Sequence, residues 1–180
     1  MAKEAELKPA DGGGVVPDGD GWFVLNARDA QWWHHDTFGS SVIFEGEARF
    51  PQFGMNIQVL EPGQPNCMYH GENAQEGFLV LSGECLLLVN GEERPLRQWD
   101  FVHFPPNAGH TIIGAGEGPC VVVAVGARGE STGPNWGAYT VHETAIKHGA
   151  GVEQETNDPN EAYARFPRRG PTRYQRGWLP

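Results

Sequence analysis

Between Gly21 and Arg128 the chain is a succession of short apolar runs broken by turns, and this feature restricts its fold the most. The runs are WFVL (22–25), SVIF (41–44), MNIQVLE (55–61), GFLVLSG (77–83), ECLLLV (84–89), DFVHF (100–104), HTIIG (110–114) and CVVVAVG (120–126). They are rich in Val, Ile, Leu and Phe and too short for helices, so they read as strands. The breaks carry specific turn chemistry. Asn90-Gly91 predicts a two-residue type I′ hairpin, in which both central residues need positive φ. Gly114-Ala115-Gly116 and Glu117-Gly118-Pro119 form another turn. Pro105-Pro106-Asn107 ends a strand, because proline cannot donate to a ladder. Many short strands at this spacing predict an all-β sandwich or small barrel.

The ends differ. Residues 1–20 are Gly-, Asp- and Pro-containing and weakly apolar, and are expected to be a flexible lead-in to the barrel of residues 21–128. Residues 129–180 are expected to be an arm. In it, 129–137 reads as a loop, 142–149 as a short helix stopped by Gly149, and Asp158 to Phe166 as a helix with Asp158 as N-cap and Pro159 first. Beyond Glu161 there is no acidic residue but there are five arginines, Arg165, Arg168, Arg169, Arg173 and Arg176. With Phe166, Tyr174 and Trp178, they predict an arm lying on the acidic body or on a second subunit.

The 180 residues suit one domain with a real core. The formal charge is 13 − 23 = −10, which argues against nucleic-acid or anionic-membrane partners. No run approaches the roughly 20 apolar residues of a membrane span, and the N-terminus has no signal-peptide pattern. Cys67, Cys85 and Cys120 match no zinc or redox spacing. Cys85 and Cys120 sit in apolar runs and read as buried thiols, so a cytoplasmic location is expected.

The chemistry concentrates in YHGENAQEGFLVLSG (69–83). On a strand, His70 and Glu72 share a face, about 7 Å apart. Glu76 shares a face with Phe78 and Val80, and His110 with Ile112. Buried charge needs a partner. Two imidazoles and two carboxylates converging in one barrel would offset a divalent cation, which makes His70, Glu72, Glu76 and His110 candidate ligands. Other histidines rank lower: His103 reads as a core or surface residue, His34-His35 as a recognition or interface segment, and no catalysis is expected of His142 or His148.

The order His70, Gly71, Glu72, three residues, Glu76, six residues, Gly83, then Asp100 to Pro105-Pro106 and His110, resembles the two motifs of the cupin superfamily. It spans residues 63–114. The resemblance implies a cupin-type β-barrel, a jelly-roll-like double-stranded β-helix of the single-domain (monocupin) kind, with short helices in the C-terminal arm. This chain has Glu72 where the family has its second histidine, Asn107 where glycine usually follows the proline, and the opening glycine, Gly63, one residue out of place.

Three states of the site stay open: all four residues ligate; His70, Glu76 and His110 ligate with Glu72 as a nearby base; or no metal binds. Oxygen ligands beside imidazole favour Mn or Fe, with Zn or Ni possible. The first functional reading is a metal-dependent enzyme on a small polar molecule, of dioxygenase, isomerase or decarboxylase type, with Glu72 or Glu76 moving protons. The others are a small-ligand-binding module without turnover and a structural barrel. A pocket lined by Phe78, Val80 and Ile112, with Phe53 and Met55, is expected, as is a homodimer.

Overall fold

The computed structural model describes residues 1–128 and 135–180. Residues 129–134, within the loop expected over 129–137, lie outside the described residues. Strands β1 (Glu6–Pro9), β2 (Val15–Asp18), β3 (Gln31–His35), β4 (Gly39–Ile43), β5 (Phe53–Leu60), β6 (His70–Glu72) and β7 (Glu76–Ser82) come first. Then follow β8 (Glu84–Val89), β9 (Glu92–Arg97), β10 (Phe101–Phe104), β11 (His110–Ala115), β12 (Cys120–Ala127) and β13 (Gly137–Tyr139). The chain ends with helices α1 (Glu143–Lys147) and α2 (Pro159–Ala162) and strand β14 (Gly170–Arg173).

Two antiparallel sheets face each other. One has seven strands in the order β10-β7-β12-β5-β4-β3-β14, the other five in the order β13-β6-β11-β8-β9. This is the all-β, barrel-like fold that the short runs predict. Between the sheets lies a core that includes Phe78, Val80, Leu87, Ile112 and Val122. The β8–β9 turn has Asn90 at φ 46° and Gly91 at φ 85°, both positive as a type I′ turn requires. Asn107 also has positive φ, 68°. Asparagine tolerates that conformation better than most side chains, so the turn survives without glycine. Cys85 and Cys120 are buried and unpaired.

The register shows that the larger sheet is covered on both sides. Leu60, Gln58 and Asn56 of β5 oppose Cys120, Val122 and Ala124 of β12, and this face looks into the barrel. Ile57 and Val59 point the other way, into a second core around Trp32, Val42 and Val121. The chain's own C-terminus closes that core. Trp178 lies with its ring centroid 4.9 Å from that of Trp32, and β14 pairs with β3. The basic arm therefore packs on this chain's barrel, where the notion of an anchoring aromatic set holds for Phe166, Tyr174 and Trp178.

Three elements differ from expectation, and the first is WFVL (22–25), which forms no strand but only an isolated bridge from Trp22 to Glu4. Residues 1–20 are ordered as a β1–β2 hairpin. Three successive glycines, Gly12, Gly13 and Gly14, all at positive φ, make its turn, and the Ala5 amide donates to the Trp22 carbonyl at 2.9 Å. The lead-in therefore has backbone partners that composition did not reveal. The helix expected from Asp158 to Phe166 stops at Ala162, although Asp158 caps it and Pro159 opens it as predicted. The chain then turns so that the Tyr163 hydroxyl can accept from the Met68 amide at 3.0 Å.

One buried ion pair holds the loop after β4 to the end of β12. The Glu45 side chain is fully buried. It accepts from Arg49, from both Nη atoms of Arg128 and from the Phe50 amide. Burial raises the Glu45 pKa, but Arg128, Phe50 and Arg49 outweigh it and hold the carboxyl below its usual value. A lowered folded-state pKa adds stability above the unfolded value, and this is lost as pH falls through the folded one. Glu45→Gln should therefore cost about 3 kcal/mol at neutral pH. In urea unfolding, the gap between variant and parent should shrink as pH falls through the lowered pKa of the parent's folded-state carboxyl and it protonates. A gap that stays constant with pH would contradict this.

Candidate metal centre

The site spans the two sheets. His110 of β11 is the direct register partner of His70 of β6, so the two imidazoles stand side by side on one face. Glu76 opens β7 in the opposite sheet, beside Phe104 of β10 and Gly126 of β12. One ligand atom from each of His70, Glu76 and His110 lies within 4.8 Å of the other two. His110 is 1 % exposed and His70 is 9 % exposed.

Backbone carbonyls fix both rings. The Nδ1–H of His70 donates to the Met68 carbonyl at 2.8 Å, and that of His110 to the Ala108 carbonyl at 2.9 Å. A carbonyl can only accept, so each Nδ1 carries its proton and each Nε2 is turned inward. His110 Nε2 lies 3.1 Å from Glu76 Oε2, but the two are not aligned for a hydrogen bond, and both are buried without one. Buried polar atoms are seldom left so. A cation would satisfy both, because its bonds of about 2.0–2.2 Å to nitrogen and oxygen bring ligand atoms to about this spacing. The donor set therefore fits a divalent metal.

The electrostatics agree. Burial raises the Glu76 pKa, but His110 and then His70 outweigh it, so the carboxyl is held below its usual range and ionised. Burial lowers the His70 pKa, yet Cys67, Glu72 and Glu76 together push it well above the ordinary imidazole value. That pocket is strongly favourable to positive charge, which a bound cation could supply in place of the proton.

Of the four candidates, three are brought together. Glu72 is not part of that set. Its Oε1 lies 3.3 Å from His70 Nε2, and its side chain is 25 % exposed, so it stands at the rim. The Phe104 ring stacks on His110 with centroids 3.7 Å apart. Trp136 and Tyr139 pack on His70 from the other side. Sequence reasoning did not find these three. Phe104 shares its short strand with His103, and the alternation did not fix which way either points. Trp136 and Tyr139 lie in the arm, and only the β13–β6 pairing, Tyr139 opposite His70, brings them in.

The pocket lining departs from expectation in one respect. Phe53 is 44 % exposed, and with Met55 it shares the outward parity of Ile57 and Val59. Neither reaches the barrel interior; the polar residues Asn56 and Gln58 do. The more apolar set of β5 faces outward because the arm buries that side. The remaining histidines have structural partners. His35 Nδ1 accepts from the Thr37 and Phe38 amides, so its Nε2–H donates to the Pro167 carbonyl at 2.9 Å. His142 caps α1, His148 pairs with Glu93, and exposed His103 lies 3.3 Å from Gln75.

Residues 56–126 match the family model described as the cupin domain. No curated protein matches the chain. Among solved structures, a sugar phosphate isomerase of the cupin superfamily from Silicibacter pomeroyi is 28% identical over 49% of this chain and 59% of its own, with TM-score 0.46. A conserved protein with a double-stranded β-helix domain from Klebsiella pneumoniae is 23% identical over 49% of this chain and 76% of its own, with TM-score 0.43. A cupin 2 domain-containing protein from Halorhodospira halophila is 17% identical over 55% of this chain and 76% of its own, with TM-score 0.44. The chain thus spans less than two thirds of the length of the first of these. Among the described residues, no helix is long and apolar enough to cross a membrane.

If three residues hold the ion, elemental analysis should separate them from Glu72. Glu72→Gln should retain about one metal per chain. His110→Ala and Glu76→Gln should each lose affinity by at least about a hundredfold, since a ligand itself is removed. Loss of metal in Glu72→Gln as complete as in Glu76→Gln would make Glu72 a ligand.

Proposed function

We propose that this chain, whose residues 56–126 match the cupin domain, is an enzyme of the cupin superfamily holding one divalent metal through His70, Glu76 and His110. Manganese or iron suits two imidazoles and a carboxylate best. The reaction is proton transfer on a small polar molecule, of the isomerase type. The observation that carries this reading is Glu72: a carboxylate outside the three-ligand set, within 3.3 Å of a ligand nitrogen and partly open to solvent. A group so placed can take a proton from a molecule entering at the rim and return it to a neighbouring atom.

When bound, the metal would supply Lewis acidity, polarising a substrate oxygen so that an adjacent C–H becomes more acidic. The protein's own residues do the rest. The carbonyls of Met68 and Ala108 keep both imidazoles from turning. Phe104 and Phe78 close the floor against water. Trp136 and Tyr139 form a wall beside His70 that positions the entering molecule next to Glu72. Three free cysteines suit a reducing cytoplasm.

A second reading rests on the ligand set itself. Two histidines and one carboxylate with open positions also suit non-haem iron oxygen chemistry. The two readings separate in one experiment. The manganese- or iron-loaded chain is incubated in deuterated water with a panel of α-hydroxy aldehydes, keto acids and catechols, while oxygen is followed with an electrode. Deuterium should enter a C–H position without oxygen uptake. Glu72→Gln should slow that exchange by about 10²–10⁴-fold with metal content unchanged. Oxygen consumption without exchange would favour the second reading.

A further inference from the structure

The inner face of the larger sheet carries two amides where apolar residues would be cheaper. Gln58 lies between Val122 and Ser41, and Asn56 between Ala124 and Ile43. Val122 and Ala124 belong to the barrel core. Asn56 Oδ1 and Gln58 Oε1 are both buried, and neither has a hydrogen-bond partner. Leaving such an oxygen unsatisfied is costly, and an apolar side chain of like shape would avoid the cost. Both amides face a cavity of about 1010 Å³ between β3–β5 and residues 159–169 of the arm. That is ample for a small molecule.

The opposite side of the cavity is cationic. Arg169 lies over the Trp33 ring, 5.0 Å from its centroid, and Arg168 also lines the space. Among the described residues neither arginine has a carboxylate within ion-pair distance. The like charge of Arg49 is near enough, after burial, to lower the Arg169 pKa. Among the described residues no carboxylate therefore neutralises Arg168 or Arg169, and this side of the cavity is positive. An ammonium group is disfavoured there. Hydroxyls are the donors that fit both the amide oxygens and the positive surroundings, and an anion is the partner the arginines lack.

The cavity adjoins the metal centre. Asn66 is part of its wall. The Asn66 Oδ1 accepts from Thr111 and from the Ile112 amide, each at 2.9 Å, and from Cys67 at 3.2 Å. Cys67 Sγ is 3.7 Å from His70 Nδ1. On the facing sheet Asn56 stands two strands, roughly 10 Å, from Phe78, whose ring centroid is 5.4 Å from that of His110.

We propose that this cavity binds a small polyhydroxylated anion: Asn56 and Gln58 accept from its hydroxyls, Trp33 packs on its carbon face, and Arg168 and Arg169 hold its carboxylate or phosphate. This names the substrate class of the metal centre. It rests on the proposed function for turnover but not for binding.

Calorimetric titration of the full chain tests it, with each sample both stripped by EDTA and reloaded with manganese, and with metal content measured alongside. The probes are D-gluconate, D-glucose 6-phosphate, D-glucose and inorganic phosphate. Gluconate or glucose 6-phosphate should bind the stripped chain at least about tenfold more tightly than glucose or phosphate, and the tighter of the two identifies the anion. Arg169→Gln should erase that preference. Gln58→Leu should weaken binding at least about tenfold without lowering the melting temperature, since it removes an unsatisfied buried group. Neither anion binding in either sample would overturn the proposal. So would glucose binding as tightly as the anions, or Arg169→Gln binding like the parent. A chain that binds the anion but holds no metal would overturn the proposed function alone.

Discussion

Two hydrogen bonds from imidazole to backbone set the character of this molecule. Each takes the Nδ1 proton of a buried histidine to a carbonyl two residues earlier, Met68 for His70 and Ala108 for His110. The rings cannot turn without leaving a buried donor unpaired. Their Nε2 atoms therefore face each other and Glu76 across the gap between the sheets. Without a cation, His110 Nε2 and Glu76 Oε2 are buried with no hydrogen-bond partner. With a cation, two sheets contribute to a single coordination sphere, and the ion becomes a tie between them.

That arrangement depends on how the larger sheet is sheltered. Its outer face packs Trp32 against Trp178 of the tail, and its inner face carries Glu76, Asn56 and Gln58. Because the tail buries the outer side, the inner side is free to be polar. The arm thus has two effects. It completes a second core, and its arginines and aromatics wall the cavity beside the metal centre.

Much of this was legible in the residues. The short runs and the Asn90-Gly91 turn pointed to antiparallel β structure, because turn chemistry and strand length are local properties. The spacing of His70 and Glu72 before a three-residue connection, Glu76 after it and His110 after a proline turn pointed to one cluster, of which His70, Glu76 and His110 converge. Where sequence reasoning fell short, the missing information was long-range. Phe53 and Met55 look like inward residues by hydrophobicity, yet the parity of β5 sends Asn56 and Gln58 inside, because residues more than a hundred positions away cover the other face. Tyr139 meets His70 only through a three-residue strand whose pairing no local signal specifies. Glu72 at two residues from His70 could be read as ligand or as base; only the structure shows that it stands at the rim, outside the three converging ligand atoms. The lead-in's order comes from backbone bonds to Trp22 and Asp29 that its composition conceals.

The central claim is a single cation held by His70, Glu76 and His110. Crystals soaked in manganese and measured by anomalous diffraction test it most directly. The account predicts one strong anomalous peak about 2.0–2.3 Å from the Nε2 atoms of His70 and His110 and from a Glu76 carboxylate oxygen. An empty centre at saturating manganese, or a peak elsewhere with these three residues uncoordinated, would contradict it.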